Sequence, residues 1–457
     1  MRGFLASSIG VICAATLLLP LAPSSAAATK RPAPTAEAAT TPRERSTPGH
    51  TESLPLATLP TTRATPTAPE QGLPRRDVRP FSLVGVIWDD PGTELHGRVQ
   101  VRTRATATGT WSGWQDIETR NAEHGADPDT AERTSGRVRG STAPLWVGDS
   151  DGVEVRVRAD QGRDPYANPL PTGLRLELVD PGGAGEEPPQ PATRAAAPPD
   201  APANTMTAET AAASAANAEL APVGAMEIPE LTSEQTRDEL FALRGTELTE
   251  EQKAKPYIGP RPRIVTRRGW GANESLREKK FVYTKKVKAA FVHHTASGNG
   301  YTCSQAPSVI RGIYRYHVLS MGWRDIGYNF VVDKCGNIYE GRAGGVAKPV
   351  LGAHTLGFNT HSMGIALLGS HGSTKPSGAA VKAVARLTAW KLGLFGANPR
   401  GKTYLKSGGG NLYAKGRNVR LNVISGHRDG FATECPGWQM YRKLGTARTT
   451  AARLQGR

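Results

Sequence analysis

The chain has 457 residues and a formal net charge of +16, long enough for two or three domains that each bury a core. From residue 261 to the end, 32 Lys and Arg face 7 Asp and Glu, while the remainder is net acidic. Past the first residues no segment is apolar enough to cross a bilayer, which excludes a helical membrane-spanning protein. The basic C-terminal part calls for an anionic partner or a solubilising charged surface.

The first elements set the compartment. Arg2, an apolar run over residues 9–21 and small residues at Ala26, Ala27 and Ala28 predict a secretory signal peptide over 1–28. For an exported chain, wall polymers or acidic peptides suit the basic charge better than nucleic acid, and no nucleic-acid-binding motif occurs. Residues 29–78, rich in Pro, Ala and Thr, are expected to be disordered, because they bury too little apolar surface to offset chain entropy. Over 79–181 the runs FSLVGVIW, GRVQVRTR, WSGWQDIE, GVEVRVRA and GLRLELVD alternate apolar and polar residues. They predict an antiparallel β-sandwich-like accessory domain. No catalytic constellation is visible there, and Trp111 and Trp114 are expected to pack in its core or, less simply, to stack on sugars. Residues 182–259 read as a linker with a possible short helix near LTSEQTRDELFALRG.

From residue 260 to 457 the pattern becomes mixed. KAAFVHH, YNFVVD and MGIALLG read as strands, and RLNVISGHRD as a final strand running into a loop. APSVIRGIYRYHVLSM reads as a helix with Val309, Ile313, Tyr316 and Leu319 along one face, and GAAVKAVARLTAWKLGLF as a second helix. The fold class is therefore α/β: a C-terminal mixed β-sheet flanked by helices, preceded by the β-rich domain. Seven of the ten histidines fall in this last region, several where strands end. His293 closes one strand, His427 follows another, and Cys435 lies eight residues further on. Two imidazoles and a thiolate suit tetrahedral zinc with one open position. Spacing alone leaves open that they are three unrelated polar residues.

The motifs FVHHTAS, GWRDIGYNFVVD, GNIYEGR, GAHTLGFN, MGIALLG and GHRDGFATECPG occur in one order. The stretch 261–445 resembles the type-2 N-acetylmuramoyl-L-alanine amidases and most of all the peptidoglycan recognition proteins, in a long secreted actinobacterial form. The resemblance implies one zinc held by His293, His427 and Cys435, with Tyr328 as the catalytic tyrosine. Where phage members carry a lysine this chain has Thr433, so its help is a hydrogen bond only. It further implies a substrate groove lined by His317, Gly322, Trp323, Arg342, His354 and Asn359. The pair Gly322-Trp323 with Arg342 accompanies diaminopimelate-type stem peptides in that family, and a guanidinium grips the extra carboxylate with two parallel bonds. The bland alternative pairs Arg342 with Glu340 or Asp333.

The activity implied is hydrolysis of the amide between the muramic acid lactyl group and L-alanine, by a monomeric, wall-associated protein outside the cell. Some family members bind peptidoglycan without cutting it, but those typically lack the cysteine ligand. A cysteine peptidase built on Cys435 and His427 is disfavoured by the Pro-Gly that follows the cysteine. With Cys435 on zinc and Cys13 removed with the signal peptide, Cys303 and Cys335 are left to pair; the cysteines alone permit three pairings.

Overall fold

The computed structural model describes residues 49–59, 70–160, 169–183 and 206–457. The signal peptide assigned to 1–28 lies outside them. The described residues fall in one compact unit, and among them no helix is long and apolar enough to cross a membrane.

The N-terminal domain is an antiparallel sheet of eight strands. Its spine is two long strands, Glu70–Trp88 and Leu145–Ala159, paired through register shifts that bend them between Leu73 and Leu83. Bulges of this kind let one strand serve a curved, sandwich-like sheet. Inward residues such as Val84, Val86, Val99, Val155 and Leu176 are buried, as period-2 alternation requires. The sheet starts earlier than composition suggests. Thr51–Pro55 pairs with Arg175–Val179, so part of the stretch expected to be disordered is an ordered strand, held by Leu54 alone in the core. Trp111 and Trp114 are not core residues. They lie half-buried with arginines on their faces, Arg75 at 4.9 Å from Trp111 and Arg156 at 4.1 Å from Trp114.

The C-terminal sheet has seven strands, in spatial order Ile424–Gly426, Ala289–His294, Ser362–Leu367, Phe330–Val332, Ile338–Glu340, Ile264–Val265 and Glu227–Ile228. Three neighbouring pairs at its centre are parallel, and Phe330–Val332 runs antiparallel to Ile338–Glu340. Helices cover both faces, so the central strands are apolar throughout. Ala290, Val292 and Ile365 point to the helices Gly378–Gly393 and Leu444–Leu454, whereas Val331 and Ala366 point to Ala306–Arg315. That last helix runs into a π-turn at Tyr316–Ser320, which turns Leu319 out to 46% exposure instead of inward. The presumed linker is folded from residue 206 onward. Thr232 and Gln235 form a capping box at the start of the helix Ser233–Arg244, and Ile228 pairs with Ile264 to cover the sheet edge.

Cys303 and Cys335 form a disulfide across a sequence separation of 32. It ties the helix entrance to the turn between Phe330–Val332 and Ile338–Glu340. Closing a loop of that length stabilises the fold by about 3–4 kcal/mol in the chain-entropy model. The double variant Cys303→Ser/Cys335→Ser is expected to lose about that much in denaturant unfolding, and an unchanged midpoint would contradict it.

Candidate metal centre

The site is built where parallel strands end side by side. Val292 is in register with Gly426, so the next residues, His293 and His427, leave the sheet together at its carboxyl edge, where open α/β sheets place their sites. His427 opens a short 3₁₀ turn, His427–Asp429. The loop beyond returns to the same edge, because the Arg428 amide donates to the Cys435 carbonyl at 3.0 Å and the Cys435 amide donates to Thr433 Oγ1 at 3.1 Å. Cys435 Sγ then lies 3.7 Å from His293 Nδ1.

A fourth group completes the cluster, and it comes from the N-terminal domain. His124 Nε2 is 3.8 Å from Cys435 Sγ, and ligand atoms of His124, His293, His427 and Cys435 all lie within 4.8 Å of one another. The four residues are buried. Zn–N and Zn–S bonds of about 2.0 and 2.3 Å in a tetrahedron put ligand atoms roughly 3.3–3.7 Å apart. The cluster therefore fits one zinc ion with slight contraction. Unpartnered nitrogens agree: both ring nitrogens of His427 are buried without a hydrogen-bond partner, a state that costs free energy unless something binds there. Burial, and then the neighbouring imidazoles, holds His293 and His427 well below their ordinary pKa. Burial takes His124 down to about 3. All three rings are thus neutral, the form that ligates a metal.

The other predicted residues surround this cluster in different ways. His354 is fully buried behind His293, its Nδ1 3.3 Å from His293 Nε2, where it can set the ring's orientation. Tyr328 packs its ring 5.6 Å from that of His293 and 6.0 Å from that of His124. Burial first, then the nearby Cys435, raises its phenol well above the usual value, so it stays a donor. His317 packs against Trp323, ring centroids 4.5 Å apart and planes tilted by 42°, and accepts from the Gly327 amide. Gly322 has φ +75°, and a Cβ there would strike the Arg137 carbonyl. Asn359 accepts from the amides of His354 and Thr355. Arg342 pairs with neither Glu340 nor Asp333. Its Nη1 and Nη2 donate to the two carboxylate oxygens of Glu132 at 2.9 and 2.8 Å.

His124 escaped the sequence reading because it stands in residues 118–139, between the strand Gln115–Ile117 and the bridge strand Gly140–Ser141. The stretch has no periodicity and no sequence link to the other ligands. The available signal was its length, since a long structureless loop inside a compact domain is usually functional.

The fold and site define a mixed α/β domain with a buried His/Cys cluster, able to hold a metal, at its strand ends. Residues 283–438 match the family model described as N-acetylmuramoyl-L-alanine amidase, and residues 34–202 match Rv3811 N-terminal galactose-binding domain-like. Peptidoglycan-recognition protein SC2 of Drosophila simulans is 29% identical over 183 residues, 40% of this chain and 85% of that one. Peptidoglycan-recognition protein SC1a of Drosophila melanogaster is 34% identical over 155 residues, 34% of this chain and 70% of that one. The solved structure of Drosophila PGRP-LB wild-type aligns at 26% identity over 40% of this chain and 92% of that chain, with a TM-score of 0.32. This chain belongs to the peptidoglycan-recognition protein family, and its function concerns peptidoglycan, by amide hydrolysis or by recognition.

Proposed function

We propose that this protein is a secreted, wall-associated zinc amidase that hydrolyses the bond between the muramic acid lactyl group and L-alanine of peptidoglycan. The observation that carries this reading is the convergence of His293, His427 and Cys435 at one sheet edge; Cys435 is the residue that recognition-only relatives typically lack. His293, His427 and Cys435 would hold the zinc, which when bound polarises a carbonyl and acidifies a water. The chain's own groups do the rest. Tyr328, protonated and beside His293, donates from its phenol oxygen to the charge that develops on the scissile carbonyl oxygen. Thr433 Oγ1 offers a second, neutral donor. His354 and Thr355, both against His293 Nε2, keep that ring turned toward the metal. Gly322, Trp323 and Arg342 would receive the stem peptide, Arg342 by its carboxylate. The basic C-terminal domain favours retention on anionic wall polymers.

Two results test this. Chelation should abolish release of stem peptide from purified sacculi, and added zinc should restore it. Tyr328→Phe should keep its zinc and lose rate by a factor on the order of 100, the size of a general acid–base contribution. A phenylalanine variant with unaltered turnover removes the tyrosine from the chemistry.

A further inference from the structure

Residues 118–139 of the N-terminal domain cross the face of the metal centre and meet nearly every group assigned above to catalysis or substrate. His124 completes the cluster. Glu123 Oε1 accepts from Thr433 Oγ1 at 2.6 Å, and the Glu123 carbonyl accepts from the Leu356 amide at 3.0 Å. Asp127 accepts from Asn359 Nδ2 at 2.7 Å and from the Gly357 amide at 2.8 Å. Glu132 occupies Arg342 in a buried bidentate pair, and the Arg139 amide donates to the Met321 carbonyl beside Gly322. The cavity beside the cluster, lined among others by Glu123, His124, Thr433 and Cys435, is about 20 Å³, room for about one water.

Chemistry distinguishes this from ordinary domain packing. Glu123, His124 and Glu132 are 4, 8 and 6% exposed, and charged residues are seldom buried unless partnered. Their partners here are the groups that would bind substrate. Glu132 presents to Arg342 the same planar carboxylate that a diaminopimelate stem would present. A zinc with three protein ligands keeps a position for water, whereas four protein ligands make the closed arrangement of a structural site.

We infer that His124 is a fourth protein ligand to the zinc and that residues 118–139 act as an internal pseudosubstrate, so that the chain as folded is latent until this segment leaves the groove. The inference rests on the amidase reading for the identity of the groove. Carboxylates and an imidazole from one domain thus hold the other closed. Opening restores the water position and frees Arg342 together. If the closed form holds about 99% of the molecules, apparent affinity for substrate falls about 100-fold.

The test uses the full chain with cobalt(II) in place of zinc, and azide as the probe. The wild-type visible spectrum should not respond to azide, whereas His124→Ala should bind azide with a spectral shift. His124→Gln, which keeps size and polarity, should respond the same way if alanine impairs folding. A wild-type response equal to that of the variants overturns the assignment of His124. Calorimetry with a diaminopimelate-containing muramyl tetrapeptide should show binding at least about tenfold tighter to His124→Ala/Glu132→Gln than to wild type, and equal affinities overturn the pseudosubstrate role. Turnover separates the two readings. A wild type as fast as the opened variant defeats latency and leaves the amidase standing. An opened variant that binds the tetrapeptide without cutting it, zinc loaded, defeats the amidase and leaves the closed groove.

Discussion

Serine in place of Cys435, or alanine in place of His293 or His427, is expected to abolish hydrolysis and to remove most zinc binding. Each residue is buried at the centre, and His124 stands beside the three as a further imidazole. Loss of an outer-shell partner of a metal ligand costs roughly 10- to 100-fold in affinity or activity; loss of a direct ligand should exceed that. The cysteine variant is the sharper test, because serine preserves volume while removing the thiolate. Its zinc content should be read in the His124→Ala background as well, where no fourth side chain can take over. Full activity in Cys435→Ser would show that the metal assignment is wrong.

Selectivity for the stem peptide gives the second large effect. The protein should cleave diaminopimelate-type peptidoglycan faster than lysine-type by about 10- to 150-fold, since losing a partly buried charged hydrogen bond costs roughly 1.5–3 kcal/mol. Arg342→Ala should erase most of that difference. The single substitution also strands Glu132, whose carboxyl is desolvated by burial yet held below its usual pKa by Arg342. Breaking one side of such a buried pair costs about 3–5 kcal/mol. The comparison is therefore made between Glu132→Gln and Arg342→Ala/Glu132→Gln, with rates on both substrates. A double variant that keeps the preference, or equal rates in the Glu132→Gln chain, sinks the role of Arg342 while leaving the bond specificity intact.

The residues that could be read from the sequence are those whose neighbours along the chain declare them. His293 and His427 follow apolar strands, and a strand's carboxyl end is a place the fold makes public. The central strands and the helix Gly378–Gly393 follow from periodicity for the same reason. What escaped depends on contacts made across the chain. Leu54 is the one buried residue of Thr51–Pro55, and only pairing with Arg175–Val179 makes its strand. Leu319 fits a helical stripe until the π-turn at Tyr316–Ser320 displaces it. His354 sits in the motif expected to line the groove, and its contact with His293 Nε2 has no local signature. His124 and Glu132 have no local signature, because their meaning comes from Cys435 and Arg342, about 200–300 residues away.

Product analysis tests the central claim most directly. Purified diaminopimelate-type sacculi are treated with the zinc-loaded wild type and with the His124→Ala chain, and soluble products are identified by mass spectrometry. Free stem peptides beginning with an unblocked L-alanine, with glycan strands left intact, are the predicted products, and they should appear in greater yield with His124→Ala. Fragments cut within the sugars or within the stem, or sacculi left whole by a zinc-loaded His124→Ala chain that binds them, would contradict the assignment.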